Sequence, residues 1–292
     1  MNKNEFLKHR EEVVVTGIER ITRESIKPRI SEVGGTIIIL QRNAKDDRRL
    51  DSEDIGALEA EAAEQTFLHA REFFDKIFEG MDDKERETID VMIIAGDTTL
   101  ITPDGIKSYH KRAVETASQV IAGLKESMAK FSLREQQLLN TAASPDGGVI
   151  EVSELRDLLM LEKSPEFVKF LIDKYGTGVK FWDAYESDAE RETRLQMGAE
   201  GPDEIADRVN YALSLHAQIA EEYHQANPGR RLIVWAVSHY DSISPFIKKY
   251  IVGMEMSSYL PVDQGAGITI SIDKTGKATT TIQDQELILN EQ

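Results

Sequence analysis

The chain has 292 residues, with 35 Lys plus Arg set against 52 Asp plus Glu, so its formal charge is 35 − 52 = −17 and its pI is near 4.9. At 40% hydrophobic and 30% charged residues it has the composition of a globular protein with its own core, and its average field repels polyphosphate, which excludes broad binding to nucleic acid or an anionic membrane but allows a local basic pocket. No cysteine means no disulfide, no thiolate chemistry and no cysteine-based metal site; the start MNKNEFLKHREE lacks a signal-peptide apolar region and no apolar run is long enough to span a membrane, so a soluble cytoplasmic protein is expected.

In chain order, Val14, Ile18 and Ile21 recur at helical spacing and predict a helical extension over residues 1–33, ahead of a single domain over 34–292. Pro28, Gly34 and Gly35 interrupt the chain before Thr36 to Leu40, an apolar, β-branched run that reads as a strand buried on both faces. Beyond the charged loop QRNAKDDRR, a helix is expected from Glu53 to Phe78, with Ile55, Leu58, Ala62, Thr66, Ala70 and Phe73 or Phe74 on one face. Val91 to Ala95 reads as a second buried strand, Gly96 to Lys107 as a loop or small hairpin, and Ser108 to Met128 as a helix. Ser132 to Gly178 is less regular, with a helix start at Ser164, Pro165 and Glu166.

Asp203 to Ala226 reads as a long amphipathic helix with Ile205, Val209, Ala212, Leu213 and Ile219 inward, ended by Asn227, Pro228 and Gly229. A third strand follows from Leu232 to Val237, then a helix near Ser244 to Val252, then a hairpin turning at Lys274, Thr275 and Gly276. Alternating strands and helices closed by a hairpin imply a three-layer α/β/α sandwich with a mostly parallel central sheet and antiparallel edge strands.

In such sheets ligands bind beyond the carboxyl ends of the strands. The first strand delivers Gln41, Arg42 and Asn43 there, and the third delivers Ser238, His239, Tyr240 and Asp241; Arg112 lies one turn after Ser108 in SYHKRAVETA. The segments TIIILQRNAK, SYHKRAVETA, EVSELRDL and LIVWAVSHYD, with GPDEIADRVNYAL before the last, follow one another in that order. From Thr36 onward this series resembles the histidine phosphatase superfamily, which includes the cofactor-dependent phosphoglycerate mutases and the bacterial phosphohistidine phosphatases. That family has a strand ending in Arg-His-Gly or Arg-His-Ala, a helix opening Ser-x-x-x-Arg-Ala-x-x-Thr-Ala, a glutamate in a Leu-x-Glu-like context, and a strand ending in Ser-His or Thr-His. The resemblance implies a phosphoglycerate mutase-like fold.

One position departs from the family's pattern: Asn43 stands where the family carries its nucleophilic histidine. An amide nitrogen gives its lone pair to its carbonyl and cannot attack phosphorus, although it keeps a hydrogen-bond donor at a similar reach. The remaining roles follow from the resemblance. Arg42 and Arg112 would clamp phosphate as bidentate forks, with Asn43 beside them. His239 would donate to a phosphoryl oxygen and support charge in the transition state. Glu154, with Glu151 as competitor, would protonate the leaving oxygen. Arg48 and Arg49 are near enough in sequence to meet the rest of a substrate.

Each residue also has a plainer reading. Arg42 fits a solvated turn charge, Arg112 a pair with Glu115, His239 a hydrogen-bonded strand-end histidine, and Glu154 a cap beside Ser153. His69, His110, His216 and His224 have no metal-ligand spacing, and Gly265 and Gly267 lack the strand-to-helix setting of a dinucleotide site. The expected protein is therefore a phosphatase for a phosphomonoester or phosphohistidine, carrying an inactivating change at Asn43 that is either natural or introduced. The alternatives are a pseudo-phosphatase that binds a phosphorylated ligand or protein without catalysis, and a mutase, for which the sequence shows no second anion contact. No metal or organic cofactor is expected, the partner is a small phosphorylated substrate or a phosphoprotein, and the sequence does not set an oligomeric state.

Overall fold

The computed structural model describes residues 18–45, 57–96, 99–102, 105–108, 112–143, 148–283 and 285–289. The principal elements in chain order are β1 (Thr36–Arg42), α1 (Ala60–Glu79), β2 (Ile89–Gly96), β3 (Thr99–Thr102), β4 (Gly105–Ser108), α2 (Arg112–Lys130), β5 (Ile150–Val152), α3 (Pro165–Tyr175), α4 (Val179–Glu186), α5 (Arg191–Gln196), α6 (Pro202–Ala226), β6 (Arg231–Ser238), α7 (Tyr240–Phe246), β7 (Gly267–Ile272), β8 (Ala278–Ile282) and β9 (Gln285–Ile288). The main sheet has seven strands in the order β5-β2-β6-β1-β7-β8-β9. β5, β2, β6 and β1 run parallel, and β7, β8 and β9 follow antiparallel, so the sheet has a parallel core and an antiparallel flank.

Parallel strands covered on both faces have no polar alternation to show, which is why β1 and β6 are apolar almost throughout. Side chains still alternate between faces. Ile38, Leu40, Val234 and Ala236 pack on one side with α6 and α7, whereas Ile37, Ile39, Ile233 and Trp235 pack on the other with α1 and α2. Trp235 is the largest wholly buried side chain and meets Phe73 edge-on at 5.0 Å between ring centroids. The helices α1 and α2 approach closely at Gly123, where a Cβ would lie 2.6 Å from the Phe67 carbonyl oxygen. A mid-helix glycine costs about 1 kcal/mol of propensity, and here it is required by contact.

The strands expected at Thr36, Val91 and Leu232, the helix start at Pro165, the hairpin between Gly96 and Lys107 and the C-terminal hairpin are all present. Asp273 forms the turn between β7 and β8, its Oδ1 accepting from the Thr275 and Lys277 backbone N–H groups at 2.8 and 3.0 Å.

Four expectations are corrected. The first concerns the N-terminal extension. Val14 lies outside the described residues, and from Ile18 to Val33 there is no α-helix, only a 3-10 turn at Arg23–Ser25. Ile21 is buried because its backbone bridges to Val262, exchanging bonds with Pro261 and Asp263, which gives an apolar spacing without a helix.

The second correction is the start of α1, at Ala60 and not at Glu53. Residues 46–56, including Ile55, lie outside the described set, and Leu58 is held out of the helix by its N–H donating to Glu115 of α2 at 2.6 Å. Third, Ile219 is 44% exposed, because it falls in line with Tyr211 and Leu215 on the outer side of α6. Fourth, the helix expected near Ser244 begins earlier, as α7, and continues into a π-helical turn at Ile247–Val252. No helix among the described residues is long and apolar enough to cross a membrane.

Candidate functional site

The carboxyl ends of β1 and β6 lie side by side, with Arg42 in register opposite Ser238. The ladder extends one residue further, since the Asn43 N–H donates to the Ser238 carbonyl at 2.8 Å, so Asn43 and His239 leave adjacent strand ends together. Both are buried, Asn43 at 4% exposure and His239 at 1%. The Asn43 Nδ2 donates to the Ala44 carbonyl at 2.8 Å.

Arg112 is brought to the same place by α2. The Ala44 N–H donates to the Thr116 hydroxyl at 3.1 Å, and that hydroxyl donates to the Arg112 carbonyl at 2.6 Å, which fastens the first turn of α2 to the end of β1. The Arg42 guanidinium lies 5.0 Å from the Tyr240 ring centroid and donates through Nη1 to the Val262 carbonyl.

The segment after β5 crosses this end of the sheet. Ser238 Oγ donates to the Leu155 carbonyl at 2.5 Å, Ser242 Oγ to the Arg156 carbonyl at 2.7 Å, and the Leu158 N–H to Asp241 Oδ2 at 3.1 Å. It lies so close to β2 that a Cβ on Gly96 would sit 2.3 Å from the Leu155 carbonyl oxygen. This crossing places Asp157, also buried, beside Asp241. Burial pushes the Asp241 carboxyl above the usual carboxylate range and the charge of Asp157 adds to the push, while His239 and Arg112 pull it back. Asp241, Asp157, His239 and Arg112 therefore share one electrostatic neighbourhood.

The sequence-derived residues divide accordingly. Arg42, Asn43 and His239 lie on the adjacent ends of β1 and β6, and Arg112 lies on the turn of α2 fastened to them. Glu154 follows β5 at the same end of the sheet, in a 3-10 turn, but its carboxylate accepts from Ser153 Oγ at 3.0 Å and acts electrostatically on His216 of α6. Glu151 is exposed on β5. Arg48, Arg49 and His110 lie outside the described residues, and Ser108 closes β4 opposite Thr99.

Asp157 was missed by sequence reasoning, and Asp241 was noted only as a strand-end polar group. Two histidines of α6 are structural: buried His216 bonds to the Ala212 carbonyl at 2.7 Å and half-buried His224 to Thr36 Oγ1 at 2.9 Å, and desolvation pushes both rings below their ordinary pKa. Among the described residues no group of three or more His, Asp or Glu is arranged to hold a metal ion.

No family model and no curated protein matches the chain. Among solved structures, the chain is similar to a phosphoglycerate mutase from Bacillus anthracis str. Sterne, at 14% identity and a TM-score of 0.47, over 87% of this chain and 94% of that one. It is also similar to a protein described as mycobacterial hydrolase 1, at 15% identity and a TM-score of 0.45, over 86% and 99% of the two chains. A third similar structure is the protein histidine phosphatase SixA complexed with tungstate, at 11% identity and a TM-score of 0.33, over 86% of this chain and 96% of that one.

Proposed function

We propose that the end of the sheet formed by β1 and β6 is a phosphate pocket of the phosphatase type, taking a phosphomonoester or a phosphohistidine, in which Asn43 leaves the nucleophile position unable to react. The observation that carries this reading is the convergence of Arg42 and Asn43 from β1, His239 from β6 and Arg112 from α2 in a protein of strongly negative net charge. Two guanidinium groups and an imidazole gathered at one buried strand end match a tetrahedral dianion, which accepts forked hydrogen bonds on its oxygens.

With histidine at position 43, an imidazole nitrogen would attack phosphorus as the bond to the leaving oxygen breaks. The leaving oxygen would take a proton from a neutral carboxyl, and water would then cleave the phosphohistidine and release inorganic phosphate. As the chain stands, turnover would be slower by about 10³-fold or more, the scale of a lost nucleophile. Glu154 is the acid by resemblance. Asp241 is a competitor on physical grounds, because burial favours its protonated form and it shares the field of His239 and Arg112.

The test is the Asn43→His variant with an aryl phosphate. Turnover through an acid-labile phosphoenzyme supports the enzyme reading, and in that background Glu154→Gln and Asp241→Asn separate the two acids. An inert Asn43→His variant, together with phosphate binding by the unmodified chain, favours the second reading, a non-catalytic binder of phosphorylated ligands. That reading has its own support in the Asn43 amide, which is buried and bonded to Ala44. A mutase reading needs a second anion contact and has no residue to name. Absence of any phosphate-induced stabilisation, or retention of the full stabilisation in both Arg42→Ala and Arg112→Ala, would overturn the pocket itself.

A further inference from the structure

Beside the pocket lies a buried polar chain with no part in the chemistry above. Its start is the ring of Tyr240, 5.0 Å from the Arg42 guanidinium carbon. The Tyr240 hydroxyl donates to Glu186 Oε1 at 2.7 Å, and Glu186 Oε2 lies 3.6 Å from Lys248 Nζ. Lys248 is wholly buried and donates to the carbonyls of Met256 and Ser258 at 2.9 and 3.0 Å. The chain thus joins the last residue of α4, the first of α7, the π-helical turn and the segment that leads to Val262, whose carbonyl takes the Arg42 Nη1.

A buried ion pair is an expensive way to fill this space. Burial pushes the Lys248 ammonium down and the Glu186 carboxyl up, so each group would gain by being neutral. An apolar pair of the same size is commonly as stable or more so. What the pair supplies, and an apolar pair would not, is a charged acceptor for the Tyr240 hydroxyl at 2.7 Å, nearer than the Leu260 carbonyl at 3.4 Å. With the hydroxyl held, the ring has one orientation, and with the ring held, the guanidinium has one plane.

Resting on the reading of Arg42 as a phosphate clamp, we propose that Tyr240 is the positioning residue for the Arg42 guanidinium, and that the buried Glu186–Lys248 pair serves to hold its ring in place. An arginine in solution samples many rotamers and must give them up to grip an anion; one already stacked and bonded to a carbonyl gives up few. Tyr240 would act only through Arg42, without touching the anion. The device also explains why the region between β5 and α6, which contributes no clamp of its own, packs against this end of the sheet: it delivers Glu186.

The test measures the dissociation constant for inorganic phosphate by calorimetry on the full chain, with melting temperature without ligand as a fold control, for Arg42→Ala, Tyr240→Leu, Tyr240→Phe and the paired change Glu186→Gln with Lys248→Met. Arg42→Ala should abolish most binding. Tyr240→Leu should weaken it between about 2-fold and 30-fold, the range of a cation–π contact from exposed to desolvated. Tyr240→Phe and the paired change, which keep the ring and lose its anchor, should fall in between.

The Arg42 Nε–H signal in nitrogen–proton NMR, identified by its loss in Arg42→Ala, should lose its ring-current shift in Tyr240→Leu and keep it, broadened, in Tyr240→Phe. A folded Tyr240→Leu variant that keeps its phosphate affinity within twofold while Arg42→Ala loses it would overturn the positioning role and leave the pocket standing. Unchanged affinity in Arg42→Ala would overturn the pocket and this proposal with it.

Discussion

Arg194 offers the most direct test of how the region between β5 and α6 is held. It is 1% exposed and lies in α5, between α4 and α6. Its Nε and Nη2 donate to the two oxygens of Asp188 at 2.7 and 2.9 Å, its Nη1 donates to the Ala199 carbonyl at 2.8 Å, and Glu204 at the start of α6 is 3.3 Å from Nη2. Arg194→Met keeps the stem and removes every one of these bonds, leaving Asp188 with a partly buried charge. Removing one partner of a buried pair costs about 3–5 kcal/mol. With about 2.1 cal/mol/K of unfolding entropy per residue, a 292-residue chain has about 0.6 kcal/mol/K at its midpoint, so the melting temperature should fall by roughly 5–8 °C. Scanning calorimetry reads the fall directly. The double variant Arg194→Met with Asp188→Asn should recover part of it, because the carboxylate that the guanidinium pairs is then gone and asparagine tolerates the left-handed backbone of this position, φ 48°. A fall of under 2 °C in the single variant, or a double variant no better than the single, would refute the view that this guanidinium organises the region.

Three further outcomes are expected. Gly96→Ala should cost about 1–3 kcal/mol by calorimetry and weaken phosphate binding as well, since its Cβ would displace the backbone at Leu155, whose carbonyl takes the Ser238 hydroxyl and which leads directly to the Leu158 N–H bonded to Asp241. Asp241→Asn should change the pH dependence of stability. The folded state holds this proton above the unfolded carboxyl's pKa, so the group's full contribution is present at low pH and declines as pH rises through the shifted value, and the asparagine variant should melt higher near neutral pH and lose that decline; parallel melting-against-pH curves would contradict it. Ile219→Lys should change stability by no more than about 0.5 kcal/mol in chemical denaturation, whereas Leu213→Ala should cost about 2–5 kcal/mol, and equal costs would mean the inner face of α6 is wrongly assigned.

The parts of the fold that were legible in the sequence are those whose burial is continuous. β1, β2 and β6 are covered on both faces, so their apolar runs needed no partner to be recognised. β5 was not legible, because Ile150–Val152 has a half-buried or exposed side chain at every position and becomes a strand only by pairing with Ile94 to Gly96. The same applies to Ile18 and Ile21, whose spacing suits a helix although their burial comes from contact with the segment near Val262.

The site divides along the same line. Arg42, Asn43, Arg112 and His239 each sit in a local motif, at the end of a strand or the start of a helix, and the chain itself announces them. Asp157, Glu186 and Lys248 do not: each is one charged residue in a segment whose neighbours give no sign that it is buried, and each acquires its setting from a side chain far off in sequence. Glu154 marks the boundary between the two cases. It has the motif and the right end of the sheet, yet its carboxylate accepts from Ser153 and acts on His216, while the carboxyl that shares the field of Arg112 and the strand-end histidine is Asp241, two residues after the histidine. A local motif fixes where the backbone goes; which acid faces His239 and Arg112 is decided by the segment that crosses this end of the sheet.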